Sequence, residues 1–398
     1  MKIGDFMKKL KIGIFLDTYY PAIDGVVLAV DHLAQALSKN HDVVLVVPYT
    51  NTYKTDKNRP YRIIRINSVH VPSTEYRVGV ISRFSKEYKK LIDERFDVIH
   101  IHSPFTIGRL GLKIAKNMDI PCVATMHTRF DFEIRRVINN RFIVQKIMNN
   151  LIKVYNHCDL CIAINHAMVK VFKDYGYKYQ PMVIYNGTDL KPLVNIEENI
   201  NIVHQKYHLD KNEKVLLFVG RITSIKNIFF LLDSLKLLKE DHFPFKMLFV
   251  GTGPDEKKLQ EKIKEYDMEN EVIMTGRILD RTLLSAIYAR ADLFLFPSLF
   301  DASSLVQIEA AVNETPSLFI EGSVTSDTIT NNVNGYTCML DKKAYKDKIK
   351  EIFSDPIQLK KVSHNARIML GKNWDDIALE TYELYVHIIN AKFNFIVY

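Results

Sequence analysis

The chain has 398 residues, 47% of them hydrophobic and 25% charged, a composition that excludes a disordered protein and supplies apolar mass for two cores. Its net charge of +8 is uneven: residues 1–192 carry 29 Lys and Arg against 17 Asp and Glu, or +12, leaving 25 against 29, or −4, in the remainder. No apolar run approaches the roughly 18 residues of a spanning helix, and Met1 to Leu10 lacks the apolar centre of a signal peptide, so an intracellular protein is expected.

The first strand, Lys11 to Leu16, runs through Asp17-Thr18-Tyr19-Tyr20-Pro21-Ala22-Ile23-Asp24-Gly25 into a helix from Val27 to Ser38. Gly25 lets a phosphate or sugar approach that helix start closely, although an ordinary turn glycine fits the same pattern. Strands follow at Asp42 to Val47, Ile63 to Ile66, Val98 to Ile101, Cys122 to Thr125, Leu160 to Ile164 and Met182 to Tyr185, with a helical pattern over Ile107 to Asn117. This alternation predicts a parallel, doubly wound α/β sheet. Cys122, Cys158, Cys161 and Cys338 lie in apolar runs, and the lone Cys158-x-x-Cys161 has no second ligand pair. Reduced buried thiols are expected, without disulfides or zinc. In an intracellular chain Asn186-Gly187-Thr188 is a turn, not a glycosylation acceptor.

Polar Lys191 to Asn201 separates a second α/β series, with strands at Val215 to Val219, Lys246 to Val250, Val272 to Met274, Leu293 to Phe296 and Ser317 to Ile320. Its opening strand leads directly into Gly220-Arg221-Ile222-Thr223-Ser224-Ile225-Lys226. A planar guanidinium and a point charge can there converge on one diphosphate, each gaining value as the leaving group gains charge. Gly251-Thr252-Gly253-Pro254 lacks the third glycine of a dinucleotide fingerprint and reads as a turn. Arg277, after Thr275-Gly276, fits either a place near a base or a plain loop. In Phe296-Pro297-Ser298-Leu299-Phe300-Asp301-Ala302-Ser303-Ser304-Leu305-Val306-Gln307-Ile308-Glu309, two carboxylates flank a strand-to-helix junction, where ligands of α/β sheets bind. Asp301 can reach a sugar hydroxyl and Glu309 a vicinal diol. The plainer alternative makes Asp301 a turn or cap and Glu309 a solvated helix residue, with Leu305, Ile308 and Val312 as the inner face.

Taken together, Asp24-Gly25, Asp97-Val98-Ile99-His100-Ile101-His102-Ser103-Pro104, Thr125-Met126-His127-Thr128, Asn186-Gly187-Thr188-Asp189, Gly220-Arg221 with Lys226, Gly251-Thr252-Gly253 and the carboxylate pair resemble a family-4 retaining glycosyltransferase of the GT-B fold over nearly the whole chain. The resemblance implies two Rossmann-like domains facing across a cleft, with a helix in 374–398 crossing back to the first; with the boundary placed at the polar stretch, these are an acceptor domain over 1–192 and a donor domain over 193–373. It implies a nucleotide diphosphate sugar as donor substrate, no other cofactor and no metal. Arg221 and Lys226 would hold the diphosphate and Glu309 the ribose. Asp301 and the backbone of Ser303, Ser304 and Leu305 would contact the donor sugar, with His127 near the reacting centre; Gly25, and Arg277 if it lies near the base, would add to the donor side. Asp301 stands where the family usually has Glu, and Ser304 where it commonly has Gly.

On the acceptor side, Arg129, Arg135, Arg136, Arg141, Lys146 and Lys153 interleave with apolar residues in what reads as a basic amphipathic helix pair. Arg83, Lys86, Lys89 and Lys90 add a second basic run. The expected function is transfer of a hexose to a lipid or lipid-linked glycan acceptor at an anionic, cytoplasmic membrane face. The alternatives are a soluble small acceptor, or a noncatalytic nucleotide-sugar binder. Nucleic acid is not expected as a partner, because stacking aromatics are not interleaved with the cations.

Overall fold

Strands that are apolar on both sides need helices over both faces of a parallel sheet. In the computed structural model, which describes residues 8–22, 24–50, 53–70, 77–82, 85–190, 193–299 and 305–394, such strands build two sheets. The chain divides into two compact units, residues 1–186 with 374–398, and residues 187–373. The division precedes the polar stretch because Leu190 is already buried in the second unit's core and the Thr188 amide donates to the Lys372 carbonyl at 3.1 Å.

In the first unit the strands in chain order are β1 (Lys11–Phe15), β2 (Asp42–Pro48), β3 (Arg62–Ile66), the separate antiparallel pair β4 (Ser68–His70) and β5 (Arg77–Gly79), then β6 (Val98–Ile101), β7 (Cys122–Met126), β8 (Leu160–Ala163) and β9 (Met182–Val183). Among the described residues the main sheet is parallel, in the order β3-β2-β1-β6-β7-β8-β9. Side-chain alternation splits its core. Ile12, Ile14, Val98, Val123 and Ile162 face one side with helix Gly25–Ser38, while Phe15, Ile99, Ile101 and Ala124 face the other with helices Thr106–Met118 and Arg141–Tyr155.

Helix Trp374–Asn394 packs onto the first of these faces, although the whole second unit precedes it in the chain. Tyr382 stacks on His41 with ring centroids 4.7 Å apart, and the Tyr385 hydroxyl lies 2.6 Å from Nδ1 of His100.

The second unit repeats the plan with β10 (Val215–Val219), β11 (Lys246–Val250), β12 (Val272–Gly276), β13 (Leu293–Phe296), β14 (Ser317–Ile320) and β15 (Tyr336–Cys338), parallel in the order β12-β11-β10-β13-β14-β15. The short β15 lies beyond the expected strands, because three residues give no readable period. All four cysteines are buried free thiols. Among the described residues no helix is long and apolar enough to cross a membrane.

Tyr385→Phe removes the hydroxyl partner of a buried imidazole and is expected to lower unfolding free energy by about 1–2 kcal/mol. Urea denaturation followed by fluorescence of Trp374, the one tryptophan of the sequence, measures it at the same helix. An unchanged midpoint would show that this contact does not hold the helix.

Candidate active site

In the second unit the strand order reverses between β10 and β13, so the loops leaving those strands diverge and open a place for a ligand. Hydrogen bonds tie the strand ends together: Gly220 N to Val250 O at 3.0 Å, Gly251 N to Gly276 O at 2.9 Å and Ile222 N to Thr252 O at 3.1 Å. A Cβ on Gly251 would lie 1.9 Å from the Gly220 carbonyl oxygen, and one on Gly253 2.1 Å from that of Ile222. Gly251-Thr252-Gly253 is thus more than a turn; it is the seat of the loop that carries Arg221 and Lys226. Asp255 closes that loop by accepting from the Ser224 amide at 2.6 Å.

Arg221 is exposed at the end of β10, and Nζ of the half-buried Lys226 lies 5.4 Å from the ring centre of Phe296, at the end of β13. Both cations therefore belong to the reversal point. Arg277 is exposed directly after β12, with β11 between that strand and β10.

Asp301, Ser303 and Ser304 lie outside the described residues, and Leu305 begins helix Leu305–Val312. The inner face of this helix keeps Val312 from the expected set but differs in its other members. Leu305 and Ile308 are half-buried, whereas Gln307 and Glu309 are buried because both have polar partners inside. Gln307 donates to the Thr328 hydroxyl at 2.7 Å. Glu309 Oε2 accepts from the Tyr288 hydroxyl at 2.9 Å, and Oε1 lies 3.0 Å from Nη2 of Arg281, which also pairs with Asp189. Burial pushes the Glu309 carboxyl above its ordinary range, while Arg281 and the Tyr288 hydrogen bond pull it back. The reading of Glu309 as a solvated helix residue does not hold.

In the first unit the equivalent reversal lies between β1 and β6. Here the protein fills the position with its own carboxylate. Asp17 accepts from the Ile107 and Gly108 amides at 2.7 and 3.1 Å and from the Ser103 and Thr106 hydroxyls at 2.6 and 3.0 Å, capping helix Thr106–Met118. Burial raises the Asp17 carboxyl even against these four lowering contacts. Gly25 is the first residue of its helix, capped by Asp24 Oδ1 at 2.8 Å from the Val27 amide, and nothing lies within 4 Å of where its Cβ would be.

His127 follows β7, its Nε2 2.8 Å from Nδ1 of His102. Burial depresses its basicity to about 4, so the ring is neutral at pH 7.

The basic segment forms two helices, Phe130–Val137 and Arg141–Tyr155. Val144, Met148, Leu151 and Ile152 are buried in the core, yet Phe142 and Ile143 stay 87% and 49% exposed beside the exposed Arg141. Arg129 and Arg135 are also exposed, Arg129 pairing with Asp131 at 3.1 Å, while the side chain of Arg136 lies outside the described residues. Lys86, Lys89 and Lys90 are exposed on helix Lys86–Asp93, and Arg83 lies outside the described residues.

Residues 23–192 match the family described as Glycosyltransferase Family 4, and residues 199–369 that described as Glycosyl transferases group 1. The chain belongs to the family-4 glycosyltransferases of the GT-B fold. It is 27% identical to the alpha-monoglucosyldiacylglycerol synthase of Acholeplasma laidlawii over 97% of this chain and 100% of that protein. It is 28% identical to the Streptococcus pneumoniae protein of the same name, over 77% and 70%. Anabaena HepE, solved in complex with UDP, superposes with a TM-score of 0.73 at 18% identity, covering 95% of this glycosyltransferase and 100% of HepE.

Three residues of this glycosyltransferase given no role by the sequence reading, Arg281, Tyr288 and His102, support the proposed site residues. Arg281 and Tyr288 sit seven positions apart on one side of helix Arg281–Arg290 and hold Glu309; a polar pair at that spacing was the available signal. His102 backs His127, two residues after His100 and on the same side of β6.

Gly251→Ala is expected to cost about 2–3 kcal/mol, since φ of +136° and the carbonyl 1.9 Å away both oppose a side chain. Chemical denaturation measures the loss. Wild-type stability would show that this loop gives way without cost.

Proposed function

We propose that this glycosyltransferase moves a hexose from a nucleotide diphosphate sugar to a lipid or lipid-linked acceptor at the cytoplasmic membrane face, retaining anomeric configuration and needing no metal. The observation that carries the donor half is the pair Arg221 and Lys226 on one braced loop at the reversal point of the second sheet. Preorganised cations aimed at a diphosphate stabilise charge that grows as the sugar departs, the task a metal would otherwise perform. Glu309, its carboxylate fixed by Arg281 and Tyr288, is assigned to the ribose diol, and Arg277 to the base side. Asp301 and the backbone of Ser303, Ser304 and Leu305 are assigned to the donor sugar, Gly25 to close approach by the donor, and His127 to the reacting centre. With no protein nucleophile assigned, the departing diphosphate oxygen takes the acceptor's proton, and attack comes from the face that the leaving group vacates. The UDP complex of HepE supports a nucleotide donor.

The acceptor half rests on Phe142 and Ile143, exposed at the start of a helix whose opposite face is core, with Arg141, Arg135 and Arg129 exposed nearby in sequence. Apolar side chains that enter a headgroup layer, flanked by cations that meet anionic lipid, are how a protein docks on a membrane without spanning it. The names of the Acholeplasma and Streptococcus relatives, both glucosyldiacylglycerol synthases, point to the same acceptor class.

The direct test is nucleotide diphosphate release from UDP-, GDP- and ADP-sugars, with and without anionic vesicles. One productive donor, stimulated by vesicles, is expected; activity indifferent to vesicles would favour a soluble acceptor. Silence with every donor, alongside thermal-shift binding of one, would favour a binder.

Arg221→Ala and Lys226→Ala should each lower turnover by about 10²–10³ at unchanged melting temperature. Wild-type turnover in both would sink the diphosphate assignment. Phe142→Asp with Ile143→Asp should reduce cosedimentation with anionic vesicles roughly tenfold while leaving donor hydrolysis in solution intact. Undiminished cosedimentation would remove this helix from the membrane contact.

A further inference from the structure

The alternation of β6 and β7 places Val98, His100 and His102 on the face shared with Val123, Thr125 and His127, the side covered by helices Gly25–Ser38 and Trp374–Asn394. From the core toward the strand ends, the polar groups form a chain. The Tyr385 hydroxyl lies 2.6 Å from Nδ1 of His100, and Nε2 of His100 lies 2.7 Å from the Thr125 hydroxyl. The His100 and His102 rings are 4.0 Å apart, and Nδ1 of His102 lies 2.8 Å from Nε2 of His127.

All three imidazoles are neutral at pH 7, because burial lowers each, His100 to about 3 and His127 to about 4. Two neutral rings sharing one N–H···N contact have one donor between them. The deciding atom is Nε2 of His102, buried and without a partner among the described residues. If His102 carried its proton there, an N–H would be buried with nothing to accept it. If the proton sits on Nδ1, only a lone pair is unmatched, and orphaned buried N–H groups are the rarer defect.

We propose that Nδ1–H of His102 donates to Nε2 of His127, fixing His127 with its own proton on Nδ1. His102 is then a positioning residue. Resting on the assignment of His127 to the reacting centre, the consequence is that His127 donates a hydrogen bond to a sugar oxygen and does not act as the base toward the acceptor. The acceptor's proton is left to the departing diphosphate, as proposed above.

The test is long-range ¹H–¹⁵N correlation on the full-length protein labelled with ¹⁵N-histidine, with signals assigned by their loss in His127→Gln and His102→Leu. In the wild type, His127 is expected as the Nδ1–H form at pH 7.5. His102→Asn, whose amide N–H falls near the place of Nδ1, should keep that form. His102→Leu should release His127 to the Nε2–H form that prevails for an unconstrained imidazole. His102→Leu should also lower turnover about tenfold with little change in KM, and His102→Asn should restore most of it.

An Nε2–H form in the wild type, or an unshifted His127 in folded His102→Leu, would overturn the proposal; should His102→Leu not fold, the wild-type and His102→Asn spectra decide. Full turnover in His127→Ala beside the expected spectra would remove the sugar-facing role of His127 and leave the hydrogen-bond assignment standing.

Discussion

A parallel sheet with helices on both faces has no polar side to spare, so charged groups gather at the strand ends, above all where the strand order reverses. This glycosyltransferase meets that constraint twice, in opposite ways. At the reversal between β1 and β6, the amides that begin helix Thr106–Met118 are taken by Asp17, a carboxylate from the same unit. A helix start carries roughly half a positive charge and attracts an anion; here the anion is built in, and that end becomes a rigid joint. At the reversal between β10 and β13 Asp255 takes the single Ser224 amide of the loop, and Arg221 and Lys226 occupy the junction. Similar topology yields an internally satisfied end in one unit and a cationic one in the other.

Rigidity around the cationic end comes from close backbone approach. Gly251 and Gly253 allow carbonyl contacts that any side chain would obstruct, so three strand ends act as one platform. Glu309 is rigid for a different reason: a buried carboxylate must be matched, and Arg281 and Tyr288 match it from a neighbouring helix. Preorganisation of this kind costs stability within the fold, where it is repaid by packing, and spares that cost when a ligand arrives.

Much of this was legible from local pattern. Val98–Ile101, Val215–Val219, Lys246–Val250, Leu293–Phe296 and Ser317–Ile320 form strands at the expected bounds because each is a short apolar run between turn residues. What escaped was tertiary in origin. Leu305 and Ile308 have the spacing of an inner face, but Gln307 and Glu309 take it because partners 21 to 28 residues away in sequence satisfy them. The support of His127 by His102 was hidden likewise, since two histidines in separate motifs gain meaning only when β6 and β7 are set side by side. The basic segment split along its length: Val144 and Met148 joined the core, while Phe142 and Ile143 did not.

The first unit is assembled from two distant pieces of chain, and this orders events at the ribosome. Ile12, Val98 and Val123 belong to a face that also receives Ile377, Tyr385 and Ile389, yet those residues leave the exit tunnel only after all of the second unit has been made. At ~5–20 residues per second the wait is on the order of 10–40 s. During that interval the nascent chain holds an apolar sheet face lacking one of its covers, beside a second unit free to fold from contiguous sequence. The interval is a window for chaperone capture, and a chain released before Trp374 would leave the part of that face under Ile377, Tyr385 and Ile389 permanently uncovered.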